Sequence, residues 1–309
     1  MKRRDLLKGG AALGGMVAFP FASTAWRVTG LDDNSASLAP SPLKPPAEGS
    51  IPVAFLISDG AVIIDFCGPW EVFQDVSLSA RGMEHMHDAF NLYTVAETTK
   101  PVRASAGMKI LPDYTFENAP APKVIVIPAQ RHASNVALDW IRKSSKNADI
   151  TMSVCTGAFV LAESGLLSGK AATTHHTAYK SLAMNFPDIQ VKRGARFVEA
   201  GNVATAGGLS SGIDLALRVV ERYYGRDVAT ATAYQMEYQG EGWKNPNSNQ
   251  VYAAVRVSTA EHPLCPVCDM DVDPATSLKS VYNGKTYYFC SEGHKQTFDE
   301  SPEKYLKAA

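Results

Sequence analysis

Net charge is almost absent from this chain: 30 Lys and Arg stand against 31 Asp and Glu over 309 residues, leaving −1. No basic stripe occurs beyond the first few residues, so the electrostatic footprint of a nucleic-acid-binding protein is missing. A long apolar run is missing too. The stretch after the basic N-terminus is broken by Gly9, Gly10, Gly14 and Gly15 and is too weakly apolar to span a membrane. What remains is ordinary globular composition, 45% hydrophobic and 20% charged, which predicts one medium α/β domain plus something smaller, working in solution on a small-molecule substrate.

The first 25 residues read as a signal peptide: a basic head with Arg3 and Arg4, a Gly-rich apolar stretch, then Ser23 and Ala25 as small residues before Trp26. The arginine pair followed by "DLLK" resembles the twin-arginine export signal, which implies the twin-arginine export machinery as a partner and a periplasmic or other extracytoplasmic location. The alternative is a basic amphipathic helix that is retained, and four glycines make that helix poor. Residues 26–50 are rich in Ser and Pro and read as a linker.

From residue 51 to 240, short β-rich runs such as "IPVAFLIS" and "KVIVIPA" alternate with helical patterns, predicting a parallel sheet covered on both faces. In such sheets the active crevice lies outside the carboxyl ends of the strands. "SVCTGA" falls at one of these ends, putting Cys155 on a tight strand-to-helix turn where a nucleophile is exposed. Gly157 permits close approach of the backbone, and a helix N-terminus favours the thiolate, so Cys155 is expected to titrate below an ordinary thiol. The N–H of Thr156 would face an anion formed on a substrate. The competing reading is a packed, inert thiol.

"IIDFCGPWEVF", "SVCTGAFVLAESGLLSGKAATTHH", "GGLSSGIDLAL" and "QMEYQ", in that order, resemble the ThiJ/PfpI (DJ-one) superfamily, in the branch of isonitrile hydratase and the amidotransferase-like domains of some AraC-type regulators. The resemblance implies a flavodoxin-like three-layer α/β sandwich with a nucleophile elbow, commonly a homodimer, and no cofactor in this domain. It implies Cys155 as nucleophile, Asp65 as acidic partner and His175 near the cysteine. Ala129 and Gln130 stand where the family has glycines; a backbone N–H survives there for an oxyanion pocket, which Gln130 narrows. Thr156 replaces the histidine that follows the nucleophile in PfpI-type peptidases, so the direct peptidase base is lacking. A thiolate paired with an acid suits addition to an electrophilic carbon, with Asp65 protonating the adjoining atom and later guiding water, as in hydration of an isonitrile to a formamide. Asp65 also has a plain reading as the cap of the helix beginning near "GPWEVF". Cys67 reads as a packing residue, "MEHMHD" at 83–88 as a loop, and His132 and His176 have no spacing partner. The alternative for the whole domain is a ligand, redox or metal-sensing receptor. A DNA-binding regulator is disfavoured, because no helix-turn-helix follows the domain.

After a second linker at 241–260, residues 261–309 form a separate texture. Cys265 and Cys268 lie in C-x-x-C, and Cys290 and His294 follow four apart at a helix start, a complete tetrahedral set. The segment resembles the YHS domain, a treble-clef-like metal-binding module. Zinc suits three thiolates and an imidazole; copper(I), with Met270 nearby, is the softer alternative, and a Cys265–Cys268 disulfide the metal-free one.

Overall fold

The computed structural model describes residues 41–78, 89–131 and 133–306. The signal and the first part of the linker, the His/Met run at 83–88 and His132 lie outside the described residues. Strands in chain order are β1 (Ile51–Leu56), β2 (Phe90–Ala96), β3 (Val102–Arg103), β4 (Lys109–Ile110), β5 (Tyr114–Thr115), β6 (Val124–Ile127), β7 (Ile150–Val154), β8 (Ala171–Ala172), β9 (Gln190–Val191), β10 (Phe197–Ala200), β11 (Val203–Ala206), β12 (Leu278–Tyr282) and β13 (Lys285–Phe289). The helices are α1 (Ile63–Gln74), α2 (Asn135–Ser144), α3 (Gly157–Glu163), α4 (Tyr179–Asn185), α5 (Ser211–Tyr224), α6 (Arg226–Gln235), α7 (Glu292–Glu300) and α8 (Pro302–Leu306).

Seven strands form the main sheet in the order β10-β11-β7-β6-β1-β2-β5. All neighbours run parallel except β10, which pairs antiparallel to β11 and closes one edge. The fully apolar strand runs are explained by burial on both faces. Val53 and Phe55 of β1, with Val124 and Val126 of β6, point into a layer shared with Phe66, Val72 and Phe73 of α1 and with Leu215 and Val219 of α5. Their neighbours Ala54, Leu56, Ile125 and Ile127 enter the opposite layer, against Leu138 and Ile141 of α2 and Leu161 of α3. This is the predicted three-layer sandwich.

Both predicted linkers are partly built into the fold. Leu43 donates its N–H to the Arg222 carbonyl at 2.8 Å and packs on the core. In the second linker, Trp243 is buried. It is held there by Asp214 of α5, a buried carboxylate that accepts from the Trp243 N–H at 2.8 Å, the Tyr238 hydroxyl at 3.0 Å and the Arg196 guanidinium at 2.6 Å. An acid with that many donors is satisfied without water, so the chain after α6 returns to the sandwich instead of leaving it. Asp214→Ala strands the Arg196 charge and is expected to cost about 3 kcal/mol. Tyr238→Phe is expected to cost about 1 kcal/mol. Urea denaturation of the two variants checks the ranking.

The C-terminal module is a knuckle, a hairpin and a helix, the parts of a treble clef. Asn283 and Gly284, both with positive φ, make the two-residue turn joining β12 to β13. Ser291 caps α7, accepting from the His294 N–H at 3.3 Å. Phe298 is fully buried among Phe289, Tyr287 and Tyr305, and Met184 of α4 packs against the same small core.

Candidate active site and metal centre

Strand β7 ends at Val154, and the next residue turns sharply: Cys155 has φ +58°, a left-handed conformation that a side chain other than glycine's adopts only under constraint. The constraints are visible. Its N–H donates to the Gly207 carbonyl at 2.9 Å, and its carbonyl accepts from the Thr174 hydroxyl at 2.9 Å. Gly157 then starts α3 so close to β6 that a Cβ would overlap the Ile127 carbonyl oxygen and lie 2.8 Å from that of Pro128. Gly157→Ala is therefore expected to lower stability by about 2–3 kcal/mol, read by thermal melting, because backbone and not a flexible side chain must yield.

Asp65 lies in the first turn of α1 and is 0% exposed. It is not the helix cap, since α1 begins at Ile63 after Val62, and the Ile63 N–H is satisfied by the Ser105 hydroxyl at 3.2 Å. The carboxylate faces the carboxyl edge of the sheet instead. One oxygen accepts from the Ala129 N–H at 3.0 Å; the other is buried without a partner among the described residues. Burial raises the acid to about 6, the Ala129 hydrogen bond opposing it.

Cys155, 8% exposed, is pushed up to about 11 by burial and then by the Asp65 charge. The N–H groups of Thr156 and Leu209 and the Thr156 hydroxyl pull the other way and are outweighed. This overturns the expectation of a low thiol. The seven-residue α3 offers a short dipole, and the buried carboxylate beside the sulfur wins. At neutral pH the pair thus rests as thiol and carboxylate, one proton between two groups.

The other predicted residues divide. The Ala129 N–H is spent on Asp65, so it does not serve an oxyanion pocket. Gln130 accepts from the Ser58 hydroxyl at 2.7 Å through Oε1, and its Nε2 is buried without a partner among the described residues. His175 packs its ring against Gly208, where any Cβ would overlap it, one residue before Leu209. Among the described residues no hydrogen bond joins His175 to Cys155. Its Nδ1 lies 2.8 Å from the Thr177 hydroxyl, and burial, with His176 second, lowers its proton affinity. Leu209 was invisible in the sequence as a site residue: its role belongs to a backbone N–H on a residue with φ +43°. Cys67 is half-buried against the core, as its packing role required.

A separate cleft of about 310 Å³ lies where the sandwich meets the C-terminal module, with His176, Arg193, Tyr252, Arg256 and Asp269 in its walls and neither Cys155 nor Asp65. Arg193 is bound to the Ala253 and Ala254 carbonyls and Arg256 to the Asp269 carbonyl and Asp271, so its cations are spent on holding the junction.

In the module, the ligand atoms of Cys265, Cys268, Cys290 and His294 all lie within 4.8 Å of one another, and the three cysteines are free thiols. A tetrahedron with metal–sulfur bonds of about 2.3 Å has edges of about 3.8 Å. The Cys268–Cys290 sulfurs stand 3.5 Å apart, and His294 Nδ1 is 3.8 Å from Cys265 and 3.1 Å from Cys290. Donor set and spacing fit a metal ion with no open position. The hydrogen bond from Cys268 holds Cys265 well below an ordinary thiol while Cys268 is pushed up.

The DJ-1/PfpI family model matches residues 52–222, and the YHS domain model matches residues 265–309. Isonitrile hydratase of Pseudomonas putida is 33% identical over 194 residues, which cover 61% of this chain and 79% of that protein. The HTH-type transcriptional regulator CdhR of Pseudomonas aeruginosa is 28% identical over 152 residues, 48% of this chain and 45% of the regulator. A THiJ/PfpI family protein from Pseudomonas syringae superposes with a TM-score of 0.55 at 26% identity, covering 70% of this chain and 83% of that one.

Proposed function

The chain belongs to the DJ-1/PfpI family, and on that premise we propose that it is a cofactor-independent cysteine hydratase acting on isonitriles, joined to a metal-binding module. The observation that carries the reading is the buried, half-satisfied carboxylate of Asp65 acting on a thiol at the elbow, with Thr156 where a peptidase would have its histidine. With Asp65 ionised and Cys155 protonated, the carboxylate takes the thiol proton as sulfur bonds to the isonitrile carbon, and returns it to that same carbon. The S–H bond breaks, S–C and C–H bonds form, and a thioimidate results. Water then adds across C=N, with Asp65 guiding its proton; nitrogen is protonated, the C–S bond breaks, and an N-substituted formamide leaves with the thiol restored. Thr156 and Leu209, whose N–H groups face the sulfur, steady the thiolate as it develops.

The test is incubation of the purified chain with isonitriles, nitriles, amides and 2-oxoaldehydes, with Cys155→Ala as control. Formamide production lost in the variant supports the reading. A second reading, a receptor that binds without turnover, is favoured by the resting protonated thiol and by the regulator relatives. Tight ligand retention with no product would select it.

The metal in this reading is zinc, held by the three thiolates and His294 as a structural ion; copper(I) on the same ligands would make the module a metal carrier. The twin-arginine segment supports export, and the family resemblance supports a homodimer. Replacing Arg3 and Arg4 by Lys is expected to leave the protein in the cytoplasm on fractionation.

A further inference from the structure

Among the polar atoms buried without partners in the described residues are Asp65 Oδ1 and Gln130 Nε2, both at the carboxyl edge of the central strands. They flank one peptide, since Asp65 is held by the N–H of Ala129 and Gln130 is the next residue. Ser58, just beyond β1, fixes the Gln130 Oε1 at 2.7 Å and leaves the amide hydrogens on the other side. Cys155, Ala129–Gln130 and Ser58 follow β7, β6 and β1, three adjacent strands, so the amide lies along the edge where the thiol stands. A buried donor left unpaired is costly, and a bound ligand that accepts from it recovers that cost.

We propose that Gln130 determines specificity by donating from Nε2 to an acceptor oxygen on the substrate's substituent, so that the preferred isonitriles carry a carbonyl, carboxylate or ether oxygen close to the reacting group. The inference rests on the hydratase reading above and narrows its substrate class. The nitrogen of an isonitrile has no free lone pair, so in the bound substrate it gives Nε2 nothing to bind. The carbon is committed to the sulfur and the proton. The remaining acceptor must come from the substituent. A glycine in this place would offer no such side-chain donor.

Two isonitriles of similar size decide it, methyl isocyanoacetate and n-pentyl isonitrile, assayed with the unaltered full chain, Gln130→Met and Gln130→Glu. The expected result is a kcat/KM preference for the ester of about tenfold or more. That preference should disappear in both variants through a higher KM for the ester, with KM and kcat read separately on each substrate. Equal losses on both substrates would place Nε2 at the reacting nitrogen of the thioimidate and overturn the proposal; so would no loss on either. Turnover of the pentyl compound without preference for the ester sinks this inference and leaves the hydratase reading standing, whereas no turnover of any isonitrile sinks both.

Discussion

Asp65→Asn should raise the reactivity of Cys155 while lowering turnover. The carboxylate charge is one of the two causes holding the thiol at about 11, so removing it lowers the thiol toward its ordinary value. Alkylation by iodoacetamide at pH 8 should then rise about tenfold for each unit regained. Turnover moves the other way, by about 10²- to 10⁴-fold, because the amide neither takes the thiol proton nor returns it. Stability follows a third course. Asp65 is raised in the folded chain from 3.8 to about 6, so the cost of burying its charge is absent below pH 4 and is fully incurred above pH 6. The variant should therefore be more stable than the parent by about 2–3 kcal/mol at pH 8, with the difference vanishing as pH falls through 6 toward 4. Iodoacetamide rates, kinetics and pH-dependent melting on the same two samples read all three. An unchanged alkylation profile would separate Asp65 from the thiol and remove the basis of the mechanism.

Metal removal should unfold the C-terminal module and loosen only one helix of the sandwich. Four ligands close around one position, and apparent binding free energies of about 10–16 kcal/mol for structural zinc exceed what the small core around Phe298 supplies. The module is not merely tethered. The Ser181 hydroxyl donates to the Val267 carbonyl at 3.0 Å, Lys180 reaches Asp269 at 3.5 Å, and Met184 packs against the module's core. Hydrogen exchange after chelation should show protection lost across 264–306 and reduced over 179–186, with β1, β6 and β7 unaffected. Retained protection in the module would make the metal dispensable to its fold.

The elbow was legible because its requirements are local: an apolar strand, a small residue at Gly157 and a helical run leave Cys155 few other conformations. The Cys/His cluster was legible for the same reason, its spacing alone placing pairs on a knuckle and at a helix start. The thiol's proton affinity was not. It depends on Asp65, ninety positions earlier in the chain, and on how completely both groups leave water, which no spacing encodes. The polar, Gly- and Asn-containing stretch around Trp243 reads as a linker until Asp214, on another element, is seen to need its N–H.

The arrangement around Asp214 bears on how such fusions are inherited. The family match stops at residue 222, yet Trp243 is locked to α5, and Arg193 ties the Ala253 and Ala254 carbonyls to the sandwich. On the other side, Arg256 already belongs to the module through Asp269 and Asp271. Val255 lies exposed between the two clasps. A YHS module cut at residue 240 would carry 241–254 away from Asp214 and Arg193, whereas one cut at Val255 would leave them in place and part from the α4 contacts of Lys180, Ser181 and Met184.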